Sequence, residues 1–85
     1  MRRNNGTSRR NTRTSRRNAW KQIHLGSNMC LDVEGGNKRS RARMISYGCH
    51  SGPNQLFRRT RRGELQAKHS RKCLDPTTFT QKKCK

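Results

Sequence analysis

Three short stretches decide the fold of this chain: NMCLDV at residues 28–33, MISYGCH at 44–50 and NQLF at 54–57. Within them apolar and polar residues tend to alternate, as they do in half-buried β-strands. Between them lie Gly-Gly-Asn at 35–37 and Ser-Gly-Pro at 51–53, which have the composition of turns. No window shows a sustained helical period of apolar residues. The sequence therefore predicts an all-β module of short strands.

A six-residue block, Ser-x-x-Cys-Leu-Asp, occurs at residues 27–32 and again at 70–75, an offset of 43 residues. Self-similarity at such a period indicates a repeat architecture. From residue 20 to about 75 the chain resembles one repeat, and the start of a second, of the ricin B-type (R-type) lectins. The His after Cys49, the small residues before Asn54 and the aromatic Phe57 are most similar to the lectin domains of polypeptide N-acetylgalactosaminyltransferases. The resemblance implies a partial β-trefoil-like fold. Since a full trefoil has three repeats, we expect neighbouring subunits to complete it.

Composition limits what the chain can build. It has 85 residues, of which 26% are hydrophobic, so it can form one small domain. Domains of this size usually need disulfides, a metal or a partner subunit. No apolar run is long enough to span a membrane. The basic N-terminus has no apolar segment behind it, which is atypical of a secretory signal. We therefore expect either a processed fragment or a chain assembled inside a cell or particle.

Residues 1–18 form an Arg-rich arm, and residues 19–85 form the lectin-like module. The arm has seven arginines and no acid, and Met1 is its only apolar residue, so we expect it to be disordered or extended. Three roles are open for it: a solubilising tail, an arm that folds onto phosphate, or a targeting segment. Its arginines are Arg2, Arg3, Arg9, Arg10, Arg13, Arg16 and Arg17.

The module itself carries a net charge of +11, which is unusual for a lectin of neutral sugars. Part of this charge is clustered in Arg58, Arg59, Arg61 and Arg62, which come just before Gly63. This cluster is predicted to be the exposed tip of a hairpin, either simply solvated or in contact with a polyanion. Trp20, the only tryptophan, is expected to pack in the core.

The four cysteines allow three disulfide pairings. The family resemblance implies one disulfide between Cys30 and Cys49 and another between Cys73 and Cys84. Such disulfides require an oxidising compartment. Zinc bound by cysteines with His50 or His69 is an alternative, although no Cys-x-x-Cys spacing is present. Four free thiols in a reducing compartment are a third possibility.

The resemblance also implies a sugar site made by Asp32, Tyr47, Asn54 and Gln55. In such a site the carboxylate accepts hydrogen bonds from vicinal hydroxyls, and an aromatic ring covers the apolar face of the pyranose. Gln55 would support the aspartate, and Phe57 would lie in the core. The alternative is structural, with Asp32 capping a turn and Tyr47 in the core. The second repeat has Pro76 after Asp75 and lacks an Asn-Gln element, so we expect no site there.

Two functions remain open. The first is a carbohydrate-binding module with a basic arm, whose ligand would be a galactose- or N-acetylgalactosamine-type glycan. The second is a small basic structural protein of a virion or other nucleic-acid-containing particle, which reuses a lectin-like repeat as scaffold. Since no catalytic arrangement or phosphate-binding loop is evident, we expect no enzyme activity, cofactor or metal.

Overall fold

The computed structural model describes residues 19–85. Over that range it has seven short strands, a single-turn 3₁₀ helix at Pro53–Gln55 and a tight turn at Glu34–Gly36 that contains non-helical backbone at Gly35. The strands are β1 (His24–Gly26), β2 (Met29–Val33), β3 (Met44–Gly48), β4 (Phe57–Arg59), β5 (Leu65–Ala67), β6 (Cys73–Asp75) and β7 (Thr80–Lys82). No α-helix occurs among the described residues, and the predicted all-β fold is confirmed. The predicted arm at residues 1–18 lies outside the described residues.

The strands form two antiparallel sheets, in the orders β1-β2-β3 and β4-β5-β6-β7. The unit β1-β2-β3 recurs as β5-β6-β7, so the chain has four strands of one repeat followed by three of the next. This arrangement is a partial β-trefoil. The second repeat extends past Asp75 to β7 and Cys84, further than the sequence resemblance indicates.

A small core lies between the two sheets. Leu31 and Val33 alternate along β2 and point to the same side, as period-two side chains do in a strand. They form one cluster with Met44, Phe57 and Ala67. Phe57 is 1% exposed, which confirms the prediction that it is buried, and Leu31 is 4% exposed.

The second repeat also contacts the segment that links β2 to β3. Here the backbone N–H of Met44 donates to the carbonyl of Phe79 over 2.9 Å, and that of Gln81 donates to the carbonyl of Ala42 over 2.8 Å. The buried Gln81 side chain adds bonds from Nε2 to the carbonyls of Asn37 (3.0 Å) and Arg39 (2.7 Å). Residues 34–43, called the β2–β3 loop below, are therefore held in place by β7.

The predicted arginine tip needs one correction. Arg59, Arg61 and Arg62 are exposed at the β4–β5 turn, but Arg58 is half-buried within β4. Its Nε donates to Gln66 Oε1 over 3.1 Å, and its guanidinium lies 4.3 Å from the ring centroid of Trp20. The hydrogen bond and the stacking hold this side chain against the protein. Trp20 in turn is half-buried outside the core cluster, with Arg71 5.3 Å from its ring, so the expectation that it packs in the core is wrong.

Candidate carbohydrate-binding site

The site forms on the face of the first sheet opposite the core. In the β2–β3 register Asp32 pairs with Ile45 and Cys30 pairs with Tyr47. Because directly opposite residues share a face of the sheet, Asp32 and Tyr47 lie on the same face as diagonal neighbours. Leu31 and Val33, at the alternate positions, point into the core.

The Asp32 carboxylate is nearly buried, with 3% of the residue exposed, and is held by hydrogen bonds. Gln55 Nε2 donates to Oδ2 over 2.7 Å, and Asn54 Nδ2 donates to Oδ1 over 3.2 Å. A buried carboxylate is costly unless it is hydrogen-bonded in this way. These donors fix its orientation and leave acceptor capacity for a ligand, since an ionised carboxylate has about four lone-pair sites.

Gln55 lies behind the aspartate and is fully buried. Besides its bond to Asp32, its Nε2 donates to the Gly48 carbonyl over 2.9 Å, and its Oε1 accepts the backbone N–H of His50 over 2.8 Å. One side chain therefore ties together β2, the end of β3 and the turn that follows. Gln55 does not line the cleft described below, so its place in the site is one of positioning.

His50 also contacts the aspartate, although it was not among the predicted site residues. Its Nε2 lies 3.4 Å from Asp32 Oδ2, and its Nδ1 accepts the backbone N–H of Gly52 over 2.9 Å. With Nδ1 accepting, a neutral imidazole carries its proton on Nε2 and can donate to the carboxylate. The signal for this role was the His directly after Cys49, which the family resemblance used only as a motif.

Tyr47 supplies the exposed ring. It is 56% exposed and meets His50 edge to face, with ring centroids 6.2 Å apart. The structural alternative that put Tyr47 in the core is thus wrong. An open cleft of about 390 Å³ lies beside it, lined by Asp32, Glu34, Gly35, Gly36, Ile45, Tyr47, His50 and Asn54.

The turn that bounds this cleft depends on two glycines. Gly35 and Gly36 have φ of 65° and 66°, in the left-handed region that side chains with a Cβ rarely adopt. Two consecutive residues in this conformation turn the chain sharply away from β2. The cleft thus combines a buried acceptor at its base, donors from Asn54 and His50 around it and an exposed aromatic face at its side. This arrangement can hold a molecule that has hydroxyls on one edge and an apolar face on the other.

The second repeat places different residues at the corresponding positions. Cys73 pairs with Lys82 as Cys30 pairs with Tyr47, so a lysine stands where the first repeat has its aromatic ring. Asp75 Oδ1 accepts the backbone N–H of Thr77 over 2.9 Å, which makes it a turn residue. The absence of a sugar site in the second repeat stays a prediction.

Both disulfides of the described part join the pairs that the resemblance implies. Cys30 is bonded to Cys49 and Cys73 to Cys84, each with a Cα–Cα distance of 5.0 Å. The zinc and free-thiol alternatives both require cysteines outside disulfides, and all four are bonded. Disulfides of this kind form and persist in oxidising environments.

Among residues 19–85 no helix is long and apolar enough to cross a membrane. Of the predicted polyanion-binding arginines, Arg59, Arg61 and Arg62 are exposed together at the β4–β5 turn. The seven in residues 1–18 lie outside the described residues.

Fold and site together define a small carbohydrate-binding module of the β-trefoil type. A family model described as the ricin-type beta-trefoil lectin domain matches residues 19–85, and the chain belongs to this family. The match covers both repeats. Neither the curated proteins nor the solved structures contain a match to the chain.

Proposed function

We propose that the module binds a galactose-type sugar, galactose or N-acetylgalactosamine, in the cleft at Asp32. The observation that carries this proposal is the Asp32 carboxylate, which is nearly buried, hydrogen-bonded by Asn54 and Gln55, and placed at the base of a cleft beside the exposed Tyr47 ring. The family's carbohydrate-binding fold supports it. The likeness to the N-acetylgalactosaminyltransferase lectin domains favours this class of sugar.

Each residue has a separate role in this proposal. Asn54 and Gln55 use two of the about four acceptor sites of Asp32, so the carboxylate accepts from two vicinal hydroxyls when His50 donates to the sugar in place of the carboxylate. Asn54 uses both N–H groups within the protein, on Asp32 and on the Val33 carbonyl, and its side-chain oxygen accepts from the sugar. Tyr47 lies against the apolar face of the pyranose. Gln55 holds Asp32 and does not touch the sugar. A single open site with one aromatic ring binds weakly, and such modules gain strength when several act together.

The test is a titration of galactose and N-acetylgalactosamine into the full chain, followed by NMR chemical shifts. We expect Asp32→Asn to lower affinity by about tenfold or more, because hydrogen bonds to a charged group contribute roughly 1.5–3 kcal/mol. Asp75→Asn is the matched control, since it makes the same change at the same position of the second repeat. It should bind as the wild type does.

A second variant keeps the test independent of folding. Tyr47 is exposed, so Tyr47→Ala should fold normally and still lose most of the binding. The proposal is wrong if the wild type shows no shifts at residues of the cleft, or if Asp32→Asn and Asp75→Asn bind equally well.

The charge of the chain favours a second function, contact with a polyanion such as the nucleic acid of a particle. The observation behind it is the exposed group Arg59, Arg61 and Arg62, together with the net charge of +11 on residues 19–85. We propose that the chain has two parts, a polyanion-binding arm at residues 1–18 and the lectin module at 19–85.

Salt dependence tests this second function. If about five arm arginines engage duplex DNA, the slope of log affinity against log salt should be near −4 to −5. Replacing the seven arm arginines by glutamine should make this slope shallower by about that amount. Replacing Arg59, Arg61 and Arg62 by glutamine should make it shallower by a smaller amount. An unchanged slope in the arm variant would show that the arm does not bind DNA.

A further inference from the structure

A second cleft adjoins the proposed sugar cleft. It has a volume of about 440 Å³ and is lined by residues of the β2–β3 loop, namely Glu34, Gly35, Asn37, Arg39, Ser40, Arg41, Ala42 and Arg43. Glu34 and Gly35 line both clefts. A ligand longer than one sugar can therefore extend from the first cleft into the second without leaving the surface.

The second cleft is basic. Its one acid, Glu34, is occupied by Arg43, whose Nε and second guanidinium nitrogen donate to the two carboxylate oxygens over 3.1 and 3.3 Å. The hydrogen bond that Arg43 donates to Glu34 raises the pKa of Arg43. Arg39 and Arg41 are exposed, and among the described residues neither forms an ion pair with a carboxylate. Two guanidinium groups in this cleft thus have their charge available.

The backbone that carries these two arginines is fixed by the second repeat. The Arg41 N–H donates to the Gln81 carbonyl over 2.7 Å, and the Arg39 carbonyl accepts from Gln81 Nε2 over 2.7 Å. Arg41 has a φ of 76°, in the left-handed region that favours glycine. Fixing the loop beforehand also lowers the entropic cost of binding.

We propose that the chain recognises an acidic glycan, in which the galactose-type sugar bears, or is linked to a sugar that bears, a sulfate or carboxylate group. The sugar lies in the cleft at Asp32, and the anionic group lies in the second cleft against Arg39 and Arg41. Guanidinium groups match such planar or tetrahedral oxyanions through paired hydrogen bonds. This inference rests on the proposed function, because the sugar cleft anchors the ligand. A nucleic acid would use the same charge but has no sugar suited to the first cleft.

The experiment compares three ligands on the full chain at physiological salt. N-acetylgalactosamine is the neutral sugar. Sialic acid α2,6-linked to N-acetylgalactosamine, called the sialyl disaccharide below, adds one carboxylate and leaves the vicinal 3- and 4-hydroxyls of N-acetylgalactosamine free. A heparin hexasaccharide is anionic but has no galactose-type sugar. Each is titrated into the wild type and into two charge-matched variants. Arg39→Gln/Arg41→Gln removes both guanidiniums of the second cleft, whereas Arg61→Gln/Arg62→Gln removes two from the β4–β5 turn, whose residues line neither cleft.

We expect Arg39→Gln/Arg41→Gln to weaken binding of the sialyl disaccharide about tenfold, the factor of one charge-assisted hydrogen bond, and to leave N-acetylgalactosamine binding unchanged. Arg61→Gln/Arg62→Gln should change binding of the sialyl disaccharide by less than about twofold, as expected for screened charges outside the site. Asp32→Asn should weaken binding of both N-acetylgalactosamine and the sialyl disaccharide. Heparin binding should be insensitive to Asp32→Asn, because heparin has no galactose-type sugar for the first cleft.

The two proposals fail in different ways. If both double variants weaken binding of the sialyl disaccharide equally, the effect is one of net charge, and the acidic-glycan inference is wrong while neutral sugar binding stands. The same holds if binding of the sialyl disaccharide does not depend on Asp32, or if a DNA oligonucleotide binds with the same dependence on Arg39 and Arg41. If the wild type binds no N-acetylgalactosamine, the proposed function fails and this inference fails with it.

Discussion

The two repeats begin with the same Ser-x-x-Cys-Leu-Asp block and fold into the same pair of strands with the same disulfide, yet they differ at the ligand face. In the first repeat ten residues link β2 to β3, and they form the wall of a cleft. In the second, only four residues, starting with Pro76, link β6 to β7. Asp32 is held by Asn54 and Gln55, whereas Asp75 bonds to its own turn.

This difference shows that the shared block builds a scaffold and does not by itself make a site. Under the proposed function, the aspartate is a ligand group only in the repeat where a longer loop and a separate Asn-Gln turn surround it. On that proposal, the length of the linking loop distinguishes the repeat that binds sugar from the repeat that supports the fold. The predictions that follow test this contrast, from the largest expected effect to the smallest.

The largest effect should come from the core phenylalanine of the first repeat. Phe57 is 1% exposed, so Phe57→Ala should cost about 3–5 kcal/mol of stability and leave the chain largely unfolded. Phe79 of the second repeat is 51% exposed, and Phe79→Ala is the control. Thermal melts followed by circular dichroism should show a large loss for the first variant and little for the second. Equal losses would contradict this placement of the core.

Removal of a disulfide should have the next largest effect on stability, and the loss should differ slightly between the two repeats. Cys30–Cys49 spans 19 residues and Cys73–Cys84 spans 11. On the loop-entropy model, replacing either pair by serine should cost about 3 kcal/mol, and the first pair should cost more by about 0.5 kcal/mol. Urea denaturation of the two double variants measures this. A variant as stable as the wild type would mean that its disulfide does not constrain the unfolded chain.

A smaller and more local effect is expected at Gly52. A Cβ there would lie 2.7 Å from Cε1 of His50 and 2.9 Å from Oδ1 of Asn54, so Gly52→Ala must displace two residues of the cleft. We expect sugar affinity to fall about threefold to tenfold, since small displacements of positioned groups are costly, while stability changes little. Gly26→Ala adds a Cβ with nothing within 4 Å and is the control. If both variants bind normally, His50 and Asn54 are not needed where the structure places them.

The smallest effect concerns pH and the second repeat. The backbone N–H of Lys85 donates to Glu64 Oε1 over 2.9 Å and lowers the pKa of this carboxyl, with a further contribution from Lys82, 3.3 Å away; burial opposes both. Because the folded pKa lies below the unfolded one, the stabilisation is present above the unfolded pKa of about 4.3 and is lost as pH falls through the folded value.

Melting temperatures of the wild type and Glu64→Gln measure this between pH 2.5 and 7. The wild type should have the higher melting temperature above about pH 5, and the difference in melting temperature between the two proteins should disappear as the pH falls. A gap that is constant over the whole range would show that Glu64 does not titrate differently in the folded chain.

The strands could be predicted from the period of two and from the position of the turns, which are local properties of the sequence. The buried Phe57 and the grouping of Asp32, Tyr47 and Asn54 were implied by the family resemblance, because they depend on contacts between segments far apart in the chain. His50, the third residue that contacts the Asp32 carboxylate, was not predicted as a site residue. Its contact with Asp32 depends on how the turn at 51–53 folds back. Arg58 and Trp20 were misplaced for a similar reason, since their stacking joins residues 38 positions apart.

The buried Gln81 has a consequence for engineering. Its bonds to the carbonyls of Asn37 and Arg39 cross from the second repeat to the loop that walls both clefts. Transplanting residues 20–59 into another scaffold would carry every side chain of the sugar cleft but not the strand that shapes its wall. The smallest graft that retains the recognition surface therefore extends through β7, and the repeat without a site is an obligatory part of it.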